Sequence, residues 1–204
     1  MLEGRAIWIT GLPGCGKSIL SEALKSLYPE LVILRMDSLR QMATPFPTYS
    51  ETERDILYRS LVYTAKIITD VGLNVIVDAT GNKRQWRELA KETIGDFKVV
   101  YLRCPIEVCI KRESARMETL SAPKGIYDKG RQGGTVPGIN VPYEEPINPD
   151  VIIDSDKTTV EEEAIILWKR CCFKASRKLS IPSNRRRLPR ALLRKISSLR
   201  SAKA

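Results

Sequence analysis

Short apolar runs recur along the chain and alternate with segments of helical periodicity. Five such runs are present, at 6–10, 31–35, 73–78, 97–102 and 151–154. Apolar runs of this length are typical of strands that are buried on both faces of a parallel sheet. The alternation of these strands with helices predicts an α/β fold with helices on both faces of the sheet.

The segments between the apolar runs predict amphipathic helices. Helices are expected at 19–27, 50–70, about 105–116 and 158–172, with one more after Gly81 that carries Trp86. Ser50 and Glu53 have the spacing of a capping box, which supports a helix start at this point. The predicted helix after Gly81 also carries three basic side chains, Lys83, Arg84 and Arg87. Each of them is expected either to contact an anionic substrate or to lie on the solvent-exposed face of the helix.

Residues 11–18 read GLPGCGKS and match the pattern G-x-x-x-x-G-K-[ST]. The alternative is a chance glycine-rich turn, but a strand precedes this stretch and a helix follows it, as a phosphate-binding P-loop requires. The predicted ATP-binding residues are Gly11, Gly14, Cys15, Gly16, Lys17, Ser18 and Ile19. Lys17 is expected to reach the β and γ phosphates, and Ser18 to ligate Mg²⁺.

Two aspartates follow predicted strands, at the edge of the sheet where open α/β folds bind ligands. Asp37 comes after the second strand and is a candidate general base, with a helix N-cap as the alternative. Asp78 ends the third strand and is a candidate to support Mg²⁺ through water, with a simple turn residue as the alternative.

Further candidates come from the second half of the chain and from a proline-broken loop. Arg112 and Arg116 lie one helical turn apart and are candidates to stabilise charge on the transferred phosphate. Residues 119–149 are rich in glycine and proline and form either a disordered loop or a cover over the site. Phe46 and Tyr49 are available either to stack on a base or to cover the core.

Composition narrows the chemistry. The chain has no histidine, so a general base has to be a carboxylate or a rarer group, and His-ligated metal sites are excluded. The five cysteines have no zinc-ligand spacing and fit a reduced protein. Because no apolar run is long enough to cross a bilayer and no signal peptide is evident, we expect no transmembrane segment and a cytoplasmic location.

The positive charge is concentrated at the end of the chain. The net charge is +10, yet residues 164–204 contain thirteen Lys or Arg and no Asp or Glu, which leaves residues 1–163 at −3 (21 basic against 24 acidic). We therefore expect a kinase domain at 1–172, with a lid at about 113–149, and a basic tail at 173–204. The tail either contacts nucleic acid, an acidic membrane surface or an acidic partner, or is a solubilising terminus.

Two segments beyond the P-loop resemble motifs of the adenylylsulfate kinase family. Residues 124–131 read KGIYDKGR and are similar to the family's K-G-L-Y-x-K-A-R, and residues 138–146 read GINVPYEEP and are similar to its G-I-D-x-P-Y-E-x-P. The resemblance covers roughly residues 4–168. It implies a P-loop NTPase fold of the nucleotide-kinase type, with a parallel sheet flanked by helices and a mobile lid.

The resemblance also implies an activity and a set of site residues. The family uses ATP and Mg²⁺ to phosphorylate the ribose 3′-hydroxyl of adenosine 5′-phosphosulfate in sulfate assimilation, usually as a homodimer. Taken together with the candidates above, the resemblance gives Lys17, Asp37 and Arg112 as the expected catalytic residues. The expected substrate-binding residues are Asp37, Arg40, Phe46, Arg59, Lys124, Lys129 and Ile139.

Departures from the family pattern lie on the acceptor side. Arg35, Met36 and Ser38 replace residues of its D-G-D-N-x-R segment, and Val136 stands where the family has an aromatic residue that stacks on the acceptor's adenine. The alternatives to phosphorylation of adenylylsulfate are therefore a P-loop kinase for another small-molecule or nucleic-acid hydroxyl, and a module that binds ATP without catalysis.

Overall fold

The structure is a computed structural model that describes residues 4–116 and 122–171. Its strands are β1 Ala6–Thr10, β2 Val32–Arg35, β3 Val75–Asp78, β4 Phe97–Arg103 and β5 Val151–Asp154. Its helices are α1 Lys17–Leu27, α2 Met36–Ala43, α3 Glu51–Asp70, α4 Arg84–Thr93, α5 Ile106–Ser114, α6 Ile126–Arg131 and α7 Val160–Cys171.

All five strands pair in parallel in the order β2-β3-β1-β4-β5. The predicted fold class is therefore confirmed. Since every strand points the same way, the loops that follow the strands meet at one edge of the sheet. β1 is the middle strand, so the P-loop that follows it lies at the centre of this edge, between the loops after β2 and β5.

Each face of the sheet is covered by its own apolar core. Ile7 and Ile9 of β1 point into the core formed with α1, α5 and α7, whereas Ala6 and Trp8 point into the core formed with α3 and α4. Trp8 stacks on Tyr58 at 6.0 Å between ring centroids, and Tyr58 stacks on Trp86 at 4.0 Å. These aromatic contacts fix α3 and α4 against the strand that leads into the P-loop.

Three local predictions need correction. β2 runs directly into α2, which places Arg35 at the N-cap position and Asp37 inside the first turn, so the N-cap alternative for Asp37 is wrong. The described part of the predicted loop, residues 122–149, is not structureless, because it contains α6. The helix that was expected to reach about 116 ends at Ser114.

Candidate active site

The P-loop depends on glycine where its backbone turns. Gly14 has φ +81°, and a Cβ added there would lie 2.5 Å from the carbonyl oxygen of Cys109. Gly16 is the N-cap of α1 with φ +111°, so α1 begins at Lys17 and its free N–H groups face the loop. A helix N-terminus presented in this way attracts phosphate through its N–H groups and its dipole.

Lys17 lies across the P-loop with its side chain largely buried. Its Nζ donates hydrogen bonds of 3.0 Å to the carbonyl oxygens of Gly11 and Leu12. Its side chain is 9% exposed, and it lines the cleft described below. The ammonium group is therefore held at the phosphate-binding loop, where the sequence motif predicted it.

A cleft of about 760 Å³ runs along the carboxyl edge of the sheet. On one side of the P-loop lies the Asp37 arm, lined by Met36, Asp37, Arg40, Tyr49, Arg54, Tyr58, Thr135 and Pro137. On the other side lies the Glu163 arm, lined by Arg112, Ser155, Thr158, Val160 and Glu163. The strands before Asp37 and Ser155 are four strand spacings apart, about 19 Å, so the edge has room for two ligands that meet at the P-loop.

Asp37 and Asp78 form a pair of carboxylates beside the P-loop. Burial raises the pKa of Asp37 above its ordinary value and Asp78 raises it further, whereas Lys17, Arg40 and Arg116 act to lower it. Burial also raises the pKa of Asp78, against the opposing influence of Lys17, Ser18 and Arg35. A carboxylate with a raised pKa is a stronger proton acceptor, as a general base for a hydroxyl must be.

Asp78 carries an oxygen that the described part of the chain leaves without a hydrogen bond. This buried Oδ2 lies 3.4 Å from Nε of Arg35 and accepts no hydrogen bond from the described residues. Within those residues no group of three or more His, Cys, Asp or Glu side chains is placed to hold a metal ion. An oxygen donor set of one or two carboxylates and a hydroxyl suits Mg²⁺, which takes its remaining ligands from water and phosphate.

The Asp37 arm is walled by cations and aromatic rings. The guanidinium of Arg40 forms an ion pair with Glu53 and lies 4.8 Å from the ring centroid of Tyr49. Arg54 donates hydrogen bonds of 2.9 and 2.7 Å to the carbonyl and hydroxyl oxygens of Thr135. This arm therefore combines positive charge with an aromatic face, which suits a nucleotide that carries an anionic group.

Arg112 and Arg116 both line the cleft. Arg112 donates a 2.8 Å hydrogen bond to the carbonyl oxygen of Ser155, and Arg116 donates one of 2.9 Å to that of Pro123. The α5 helix thus carries one cation towards the Glu163 arm, and the residues after it carry a second one, which acts on Asp37.

The segment around α6 is joined to the P-loop. The buried Tyr127 donates a 2.6 Å hydrogen bond to the carbonyl oxygen of Pro13. The Glu113 carboxylate accepts a 2.7 Å hydrogen bond from the N–H of Gly125, the N-cap of α6. These contacts couple the position of the KGIY motif to the phosphate-binding loop.

Comparison with known proteins identifies the family. The family model for adenylylsulphate kinase matches residues 3–154. The chain belongs to the adenylylsulphate kinase family. It is 34% identical over 175 residues to a probable adenylyl-sulfate kinase of Pyrococcus abyssi (83% of this chain, 95% of the relative). It is 38% identical over 157 residues to one of Archaeoglobus fulgidus (74% and 96%).

A solved structure of the same family has a similar fold. The Mycobacterium tuberculosis APS kinase, determined in complex with AMPPNP and APS, is 28% identical to this chain and superimposes with a TM-score of 0.73. The match covers 84% of this chain and 99% of the other. The resemblance that the two lid motifs predicted is therefore confirmed.

The structure brings together some of the predicted site residues and leaves others outside the cleft. Those that line it are Gly14, Cys15, Gly16, Lys17, Ser18, Ile19, Asp37, Arg40, Tyr49, Asp78, Arg112 and Arg116. Gly11 does not line the cleft, but it packs closely against β4: a Cβ added at this position would lie 2.4 Å from the carbonyl oxygen of Leu102. Phe46 is 93% exposed, and Arg59 pairs with Asp55 on the surface of α3.

The predicted contacts from the lid stay predictions. Lys124 and Lys129 are exposed, Ile139 is 38% exposed, and none of the three is among the residues that line the cleft. Val136, which stands where the family has a stacking aromatic, is 8% exposed and packs in the core beside Gly130. Its neighbours Thr135 and Pro137 line the cleft instead.

Sequence reasoning missed Arg54, Tyr58, Ser155 and Glu163 as lining residues. A signal for Arg54 was present, because it precedes the buried Leu57 and Tyr58 of α3 by three and four residues and therefore lies on their face of the helix. Arg59, one position after Tyr58, lies outside the buried stripe. No periodicity could have assigned Ser155, which follows a strand, or Glu163, which is the last of three consecutive glutamates.

No helix among residues 4–116 and 122–171 combines the length and the hydrophobicity that a membrane span needs. The four alternatives for the basic tail concern residues outside the described part of the chain. Lys83, Arg84 and Arg87 pair with Glu51, Glu144 and backbone carbonyls respectively.

Proposed function

We propose that this chain transfers the γ-phosphoryl group of ATP to the ribose 3′-hydroxyl of adenosine 5′-phosphosulfate, giving 3′-phosphoadenosine 5′-phosphosulfate for sulfate assimilation. The observation that carries the proposal is a single cleft in which a P-loop lies between a carboxylate pair and a second, separate arm. Membership of the adenylylsulphate kinase family supports this choice of acceptor.

The residues of the cleft divide the chemistry between them. Lys17 and the N-terminus of α1 hold the phosphates, and Asp37 accepts the proton of the attacking hydroxyl. Arg112 and Arg116 stabilise the charge that spreads over the transferred group. Ser18 and Asp78, the latter directly or through water, would hold Mg²⁺, which when bound would neutralise charge and orient the phosphates.

The proposal is tested by ADP release in a coupled assay over a panel of acceptors that includes adenylylsulfate, a sugar and a 5′-hydroxyl oligonucleotide. We expect acceptor-dependent ADP release with adenylylsulfate. Turnover with another hydroxyl compound only would replace the acceptor and retain the kinase class, and no acceptor-dependent release at all would favour a binding module.

Arg54 and Arg59 offer a matched pair for the acceptor site. Because Arg54 lines the Asp37 arm, Arg54→Met is expected to raise the KM for adenylylsulfate by about tenfold or more, the loss of one charge-assisted contact. Arg59→Met removes the same charge from the exposed side of α3 and is expected to leave the KM within about twofold. Steady-state kinetics with adenylylsulfate as the varied substrate measures both, and the reverse ranking would restore Arg59 as the contact.

The α3 helix also supports the proposal of a homodimer. Four large apolar side chains are exposed on one side of it: Ile56, Tyr63, Ile67 and Val71. Exposed apolar stripes of this kind mark contact surfaces, and we expect Tyr63→Glu to shift the chain from dimer to monomer in sedimentation velocity. A wild-type monomer would contradict the dimer.

The domain boundary at 172, the partner of the tail and the cytoplasmic location stay predictions.

A further inference from the structure

The Glu163 arm contains a buried acid that the proposed chemistry does not use. Glu163 lies near the start of α7, its side chain is 4% exposed, and it lines the cleft together with Thr158 and Ser155. A buried carboxyl group is unfavourable unless it is hydrogen-bonded or neutral. Its position on the wall of a ligand cleft therefore suggests a contact with the ligand.

The carboxyl group is anchored at one of its two oxygens. The Thr158 hydroxyl lies 3.0 Å from the carbonyl oxygen of Asp154 and 3.2 Å from Oε1 of Glu163, and it is the donor in both contacts. This contact fixes the orientation of the carboxyl group on the wall of the cleft.

The other carboxyl oxygen, Oε2, is left as an acceptor. Among the described residues it has no hydrogen-bond partner, because the side-chain contact of Glu163 runs through Oε1 to Thr158. Burial raises the pKa of Glu163 to about 7, although the hydrogen bond from Thr158 and the charge of Arg112 on α5 both lower it, and Glu161 on the same helix raises it slightly. The protonated form is thus present at and below neutral pH.

The position of the arm indicates which ligand it receives. In-line transfer places the acceptor hydroxyl and the donor nucleoside on opposite sides of the transferred phosphate. Asp37, the proposed base, marks the acceptor side of the P-loop, so the nucleoside of the phosphate donor lies in the Glu163 arm. This step rests on the proposed function.

We propose that Glu163 selects the base of the phosphate donor, its free carboxyl oxygen accepting a hydrogen bond from the exocyclic amino group of adenine. Guanine presents a carbonyl oxygen at the position of this amino group, so two acceptors would face each other. The residue thereby sets a preference for ATP over GTP through one contact in addition to the shape of the arm.

Calorimetric titration of the full chain with ATP and with GTP, each with Mg²⁺, tests the proposal without relying on turnover. Wild type is expected to prefer ATP, and Glu163→Leu to lose about tenfold or more of that preference, since the contact that separates the bases is gone. Glu163→Gln is expected to retain it, because the amide donates to Thr158 and still presents an oxygen. Glu161→Gln, an exposed control on the same helix, should match wild type.

The pH dependence of ATP binding supplies a second readout. Both forms of the carboxyl group present an acceptor oxygen, and the ionised form is the stronger acceptor. The ratio of the wild-type affinities for ATP and GTP is therefore expected to stay the same or to rise between about pH 6 and pH 8, whereas that of Glu163→Gln is constant. An unchanged ATP preference in Glu163→Leu, no preference in wild type, or a wild-type preference that disappears as the pH rises would each overturn the proposal. Failure of adenylylsulfate turnover would instead refute the proposed function, and the binding data would be unaffected.

Discussion

Asp37→Asn is expected to lower kcat by about 10²- to 10⁴-fold, the usual contribution of a general base, while the Kd for ATP stays within about threefold. The side chain keeps its size and position in the first turn of α2 but loses the ability to accept the hydroxyl proton. Steady-state ADP release gives kcat, and calorimetry gives the Kd for ATP. Asp70→Asn, on the surface of α3, is the matched control with unchanged kcat.

The same substitution is expected to stabilise the protein at neutral pH. The pKa of Asp37 is raised in the folded state, so the folded chain binds the proton more tightly than the unfolded chain does. The stability that this proton contributes is fully present below the unfolded pKa and is lost as the pH rises through the folded pKa. Asn cannot ionise, so the Tm of the variant should exceed that of wild type near pH 7 and approach it near pH 4.

An Asp37→Asn variant that is inactive and also less stable at neutral pH would indicate damage to the fold. An active variant would exclude Asp37 as the base.

In the wild-type enzyme, the acid limb of the profile of kcat/KM against pH should lie above the ordinary carboxyl range, because the raised pKa of Asp37 keeps the carboxyl protonated to a higher pH.

Lys17→Met is expected to raise the Kd for ATP by about a hundredfold or more, since a buried ammonium group at the phosphates makes charge-assisted bonds that an apolar side chain cannot replace. Methionine retains most of the length of the lysine side chain and so leaves little empty space beside the loop. Calorimetry with ATP and Mg²⁺ measures the effect.

Lys91→Met, at an exposed position on α4, is the control for loss of charge and should bind ATP like wild type. Thermal unfolding of the Lys17 variant checks that the loop carbonyls it leaves unpaired have not unfolded the domain. Retained ATP affinity in a folded Lys17→Met protein would contradict the role of this residue.

Local sequence signals predicted the frame of the site well. The P-loop, its strand and its helix were evident because glycines at 14 and 16 meet backbone demands that other residues cannot meet. Half of the predicted capping box is present: the Ser50 hydroxyl accepts a hydrogen bond from the N–H of Glu53. The N–H of Ser50 donates to the Thr48 hydroxyl, and the Glu53 carboxylate accepts from Thr48 instead. Each of these signals lies within a few residues of the structure that it specifies.

The walls of the cleft depend on contacts between distant parts of the chain and were predicted less well. Tyr49 lines the cleft and Phe46 does not, although both lie in one proline-broken loop. Thr135 reaches the Asp37 arm by a hydrogen bond to Arg54, 81 positions away. The short helix α6 was missed because six residues that include a glycine have no readable period.

The central claim is that this chain phosphorylates the ribose 3′-hydroxyl of adenosine 5′-phosphosulfate, and product analysis by ³¹P NMR tests it most directly. The reaction contains the full chain, ATP, Mg²⁺ and adenosine 5′-phosphosulfate. The account predicts ADP and a new phosphomonoester signal from the 3′ position, both formed at least about 10²-fold more slowly with Asp37→Asn. Release of ADP with phosphate alone, or no change in the nucleotides, would contradict it.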